Sequence, residues 1–92
     1  MKVKELLTDE TRWSQGAYAH RADGEVVKFS SPEAVSFCLV GAISRCYWLL
    51  KDRKPIYDAV CDQIGESFIP DWNDAKERTF AEVRALVEEL DI

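Results

Sequence analysis

One thiol, one imidazole and an amide–carboxylate pair are the groups in this 92-residue chain that could assemble a nucleophilic site. A reactive cysteine needs a neighbouring base or a helix N-terminus to lower its pKa, and a third group to hold the base. Cys38 is the candidate nucleophile, His20 is the sole imidazole, and Asn73 or Asp74 could orient it. Against that reading, Cys38 shares an apolar stripe with Leu39 and Ala42, about two turns into a predicted helix. A free cysteine there is a small buried hydrophobe, too far in for much help from the helix dipole. Gly41 reads as a close helix contact rather than as chemistry.

Two further groups suit recognition rather than catalysis. Trp72-Asn73-Asp74 would make a recognition tip, an aromatic beside an amide and a carboxylate, with Arg78 adding a cation. The packing alternative has Asn73 and Asp74 bonding their own backbone, Trp72 covering the core and Arg78 pairing with Asp74. Trp13, Gln15 and Tyr18 could line a ligand pocket, two aromatic walls with one amide to orient a polar group. In the alternative, Trp13 and Tyr18 close the core and Gln15 pairs with backbone.

Other chemistries find little in the chain. One His and three Cys without clustered spacing do not make a zinc site. There is no glycine loop to cradle phosphate, and Glu88-Glu89 falls on a solvated helix face. No cofactor is implied.

The elements that must position these residues follow from periodicity and punctuation. Val3, Leu6 and Leu7 have helical spacing, giving a short first helix that fades around residues 9–11. Asp23-Gly24 between two short apolar runs predicts a small hairpin at about 17–28, with a type I′ turn. Ser31-Pro32-Glu33 has the order of a helix start, and the spacing predicts a central helix over about 32–50. Its stripe of Val35, Cys38, Leu39, Ala42, Cys46 and Leu49 is flanked by Phe37, Val40, Ile43, Tyr47 and Trp48, so it is apolar on nearly every side and must be wrapped by neighbours. Pro55 is expected to start a third helix that ends at Gly65. A loop at 68–74 leads to the capping box Thr79/Glu82 and a last helix with Phe80, Val83, Leu86, Val87 and Leu90 inward. Arg84 and Glu88 pair on its outer side. The fold class expected is mainly α with some β: four helices around a buried central one, plus one hairpin, in a single domain spanning 1–92.

Charge and cysteine usage narrow the setting. The formal charge of −5 lies entirely in residues 51–92, which carry six basic and eleven acidic groups, and is strongest after Asp58. That disfavours direct nucleic-acid binding, which draws on clustered Lys and Arg. Lys51-Asp52-Arg53-Lys54 is a local basic exception. An odd number of cysteines with no C-x-x-C pair points to reduced thiols and a cytoplasmic location. The most apolar stretch, Ala34 to Ser44, is eleven residues, against about 20 for a spanning helix.

Three blocks together resemble one family: Trp13-Ser14-Gln15-Gly16-Ala17-Tyr18-Ala19 with Asp23-Gly24, then Cys38-Leu39-Val40-Gly41-Ala42-Ile43, then Trp72-Asn73-Asp74 with Arg78-Thr79 and Glu82-Val83. Their order and spacing are similar to small bacterial and phage proteins grouped as domain-of-unknown-function family 6197, over roughly residues 3–90. The first helix is shorter here than is usual in that family. The resemblance implies a small helical domain with a hairpin, and no known activity.

The function expected is a non-enzymatic module that binds a protein partner through the Trp72–Asp74 loop and the acidic C-terminal part. A phage-derived inhibitor of a host defence complex is its concrete form. The alternatives are a thiol-dependent enzyme using Cys38 with His20, and a small-ligand domain built on Trp13, Gln15 and Tyr18.

Overall fold

The computed structural model describes residues 1–92. Five helices and a three-stranded antiparallel sheet follow one another in the order α1 (Val3–Leu6), a 3-10 turn (Glu10–Arg12), β1 (Ala19–Arg21), β2 (Val26–Val27), β3 (Ala34–Phe37), α2 (Leu39–Cys46), α3 (Leu50–Ile64), α4 (Ile69–Asn73) and α5 (Phe80–Leu90). The α+β class is as expected. The count of four helices and the single long central helix are not.

The central helix predicted for about 32–50 is a strand followed by a shorter helix. Ser31 does not cap a helix; its hydroxyl and carbonyl accept the N–H groups of Glu33 and Ala34, closing a turn that feeds β3. β3 then pairs with β1, placing Ala19 opposite Phe37 and His20 opposite Ser36. Periodicity cannot separate a helix apolar on all sides from a buried strand leading into a buried helix. The strand's outer edge is covered by Trp13 and Ser14, whose N–H donates to the Phe37 carbonyl at 3.0 Å. The sheet order is β2-β1-β3, so β2 forms the other edge.

The hairpin lies where Asp23-Gly24 placed it, with a different turn. Only Gly24 has positive φ, +90°. Gly24 N–H donates to Arg21 O and Arg21 N–H to Glu25 O, the pattern of a three-residue loop with a glycine bulge. That loop needs positive φ only at Gly24, not at Asp23, and the Asp23 carboxylate accepts the Glu25 N–H and the Arg21 guanidinium.

α3 starts five residues before Pro55, which sits in its second turn. The missing N–H leaves only the solvent-exposed Lys51 carbonyl without a helical partner. Meanwhile Arg53 anchors the first turn by donating to the carbonyls of Tyr47 and Trp48. Gly65 ends the helix in the left-handed region, φ +72°, as its position suggested. α5 carries the expected capping box, with Thr79 and Glu82 accepting each other's backbone N–H groups. Val83, Leu86 and Val87 on α5 are buried, and Phe80 and Leu90 half-buried.

The core collects Val3, Leu7, Phe37, Leu39, Ile43, Val60, Ile69 and the α5 stripe around α2. Each such large side chain stabilises the fold by roughly 1.5–3 kcal/mol. Arg84 pairs with Glu88 and also donates to the Lys4 and Leu7 carbonyls, fastening α1 to α5. At the chain's ends Asp91 accepts both Lys4 and Lys2. No helix is long and apolar enough to cross a membrane.

Candidate functional site

The three sequence blocks meet at one side chain, Asn73, the last residue of α4. It is completely buried. Its Oδ1 accepts Trp13 Nε1–H at 2.8 Å and the Leu39 N–H at 2.9 Å. Its Nδ2 donates to the Ser14 carbonyl at 3.2 Å and to Asp74 Oδ1 at 2.8 Å. These four bonds use the amide's capacity in full. Asp74 also accepts the Gly16 N–H at 3.1 Å, and Gln15 Nε2 donates to the carbonyls of Asn73 and Ala75 at 2.9 and 3.1 Å. Residues 13–16 and 73–75 are thus latched together across the N-terminus of α2.

That N-terminus is where Cys38 lies. It is the N-cap of α2, and its Sγ accepts the Gly41 N–H at 3.3 Å. The expected position two turns into a helix is therefore wrong, because residues 34–37 are strand. Proximity to the helix end does not activate the thiol: burial pushes its pKa up, outweighing the Gly41 and Val40 N–H groups that pull it down. His20 is not hydrogen-bonded to Cys38 or to Asn73 or Asp74; its Nδ1 contacts Ser14 Oγ at 3.1 Å. Cys46 is likewise pushed up by burial, to about 11. All three cysteines are free, and no three His, Cys, Asp or Glu side chains converge as a metal site requires.

Gly41 answers a backbone approach. A Cβ there would lie 1.9 Å from the Tyr18 carbonyl oxygen, which itself accepts the Cys38 N–H at 3.2 Å. Tyr18 is therefore fixed at its backbone while its side chain stays 53% exposed.

The remaining expected site residues pack against one another. Arg78 lies over the half-buried Trp72 ring at 3.9 Å from its centre and donates to the Trp72 carbonyl at 2.9 Å. Its charge is matched by Glu82 at 2.7 Å, not by Asp74. Trp13 is half-buried, and Gln15 is exposed with its amide nitrogen engaged. Trp13, Gln15, Asn73 and Asp74 are brought together in the latch. Tyr18 stands apart from it, beside a groove.

Tyr18 separates two open depressions. One, about 330 Å³, is lined by Tyr18, Val40, Tyr57, Asp58, Cys61 and the 67–70 segment including Phe68. The other, about 650 Å³, follows β2 along Val26, Val27, Lys28 and Phe29. A shallower hollow with Asp62 and Glu66 adjoins the first at Cys61 and Ser67. Between Pro55 and Ala75 the chain has five carboxylates, Asp58, Asp62, Glu66, Asp71 and Asp74, and no cation. All five are exposed.

Phe68 is the residue that sequence reasoning passed over. It is 59% exposed and occupies the N-cap of α4, with no side-chain cap bond. Ser, Thr, Asp or Asn is preferred at such a position. An apolar residue just before Ile-Pro, where a cap belongs, was the signal available.

Neither the curated proteins nor the solved structures include a match to this chain. A family model does match, covering residues 1–90 and described as a family of unknown function, DUF6197. The side-chain and backbone groups that meet at Asn73 come from the three blocks that resemble that family. The chain belongs to family DUF6197.

Proposed function

We propose that this protein is a non-enzymatic docking module whose groove between Tyr18 and Phe68 receives an apolar side chain flanked by Lys or Arg on a partner protein. The observation that carries this is the exposed Phe68 in the middle of a run, 55–75, that is acidic and without cations. Apolar anchors supply binding energy when a partner desolvates them, and a one-sign rim selects the partner's charge and speeds encounter. The same rim repels phosphate, which disfavours direct contact with nucleic acid.

The latch supports this role from behind. Trp13, Gln15 and Gly16 precede Tyr18, while Asn73 and Asp74 follow Phe68, so the bonds between them fix both walls of the groove. Trp72 and Arg78 brace the segment that follows. The contact expected at Trp72–Asp74 thus moves to Tyr18 and Phe68, with the acidic part kept as its rim. The target is a basic protein surface, such as the nucleic-acid channel that a phage-derived inhibitor of a host defence complex would occupy.

Selection from a displayed random peptide library tests the reading. Wild-type protein should enrich peptides with an aromatic or Leu beside Lys or Arg, less so at high salt. Phe68→Ser and Asp62→Lys should each lose that enrichment. Enrichment of acidic or uncharged peptides, or the same set from all three proteins, overturns it.

A further inference from the structure

A second surface on this chain has the chemistry that the groove lacks. Trp48 is 71% exposed and Leu50 72%, with Leu49 between them also exposed. Lys51, Arg53 and Lys54 follow, with one carboxylate, Asp52, among them. Leu49 is the N-cap of α3 and has no side-chain cap bond. As at Phe68, a large apolar residue stands where the helix end favours Ser or Asp. α3 and α4 therefore both begin on displayed apolar residues, one beside cations and the other beside carboxylates. Two such local departures with complementary chemistry call for a common cause.

We infer that the partner of the groove is a second copy of this chain, which enters it with the Trp48–Lys54 segment. This rests on the docking reading of the groove given above. The charges match in sign: the free cation of the entering tip meets Asp62 on α3 and Glu66 just beyond its end, in the hollow that adjoins the groove. Within one molecule Trp48 and Leu50 do not line the groove: Leu50 starts α3, and the groove's α3 residues, Tyr57, Asp58 and Cys61, lie about 10–17 Å further along its axis at 1.5 Å rise per residue. The contact is consequently head-to-tail, joining different surfaces of the two copies, and it can continue from copy to copy. A shallow groove and a short tip make a small interface, so association is weak, concentration-dependent and weakened by salt. Lys54 is held by Asp58 of its own helix at 3.3 Å, which leaves Lys51 as the cation free to pair across the contact.

Complementary variants test this in the full chain. One carries Trp48→Ser with Lys51→Glu, a disabled tip beside an intact groove; the other carries Phe68→Ser with Asp62→Lys, the reverse. By sedimentation velocity, wild type should grow in size with concentration at low salt and less at high salt. Each variant alone should stay monomeric, while their equimolar mixture should form a pair and stop there. If a variant loses the wild-type melting temperature, the single changes Lys51→Glu and Asp62→Lys carry the same test. A wild type monomeric at every concentration, association that survives in either variant alone, or a mixture that forms no pair overturns the inference. So does a Trp48 fluorescence shift on phosphatidylglycerol vesicles by a chain that stays monomeric without them. If self-association fails while the groove still selects basic, apolar peptides, the second copy is excluded and the docking reading stands. If the groove selects none either, both fall.

Discussion

Asn73 and Phe68 lie five residues apart and reverse the usual rule in opposite directions. The polar side chain is completely buried and the aromatic one 59% exposed. Burial of the amide is made stable by four hydrogen bonds that leave nothing unpaired. Exposure of the phenyl ring has no such compensation within the molecule. A saturated buried polar group is complete as it stands and serves the fold; an uncovered anchor at a helix cap is incomplete until something covers it. In the proposed docking reading, this difference separates the residues that hold the groove in place from the one that would meet a partner.

Breaking the latch gives the largest effect. Asn73→Ala strands the Trp13 indole N–H, the Leu39 N–H and the Ser14 carbonyl in the interior, and should cost about 3–5 kcal/mol in denaturant unfolding. Gly41→Ala should cost about 3 kcal/mol, since the added methyl meets a backbone oxygen rather than a flexible side chain. A loss under about 1 kcal/mol in either case would mean that the latch is not a structural keystone.

Cys38 sharpens the same contrast at intermediate size. Its buried, raised thiol should be alkylated far more slowly than that of Cys61 in the native protein, with a rate that follows unfolding. Rapid labelling near neutral pH would restore the enzyme reading. The smallest effect is expected at the chain ends. Hydrogen bonds from Lys4 and Lys2 hold the Asp91 carboxyl at about 2, below its ordinary value of 3.8. Its contribution is therefore complete above about 3.8 and lost as pH falls through about 2. Asp91→Asn should lower melting temperature slightly at neutral pH and converge with wild type in acid; parallel curves would contradict that.

What was legible in the sequence had a local cause. Asp23-Gly24, Gly65 and the Thr79/Glu82 box each carry their conformational reason within a few residues, and each marks an element boundary in the structure. The strand at 34–37 was not legible, because Ala-Val-Ser-Phe ahead of Cys-Leu-Val is apolar at either period. Its choice of strand depends on pairing with β1, about fifteen residues away. Pro55 misled because Pro is favoured at helix starts, yet Arg53 bonds to Tyr47 and Trp48 carried the helix upstream. The latch residues were singled out by type, but their roles rest on Trp13–Asn73 contacts 60 residues apart. No local pattern encodes that. The groove was missed for the opposite reason: Phe68 looked like ordinary loop punctuation until the structure made it a cap.

The most direct test of this division is Phe68→Ser, measured for stability and for binding of a peptide enriched by wild-type protein. Serine is the better cap, so unfolding free energy should stay equal or rise by up to about 1 kcal/mol, while peptide affinity falls at least about tenfold, a loss of about 1.4 kcal/mol. Destabilisation with unchanged affinity would contradict the account, since Phe68 would then be a packing residue and the groove would not be the docking surface.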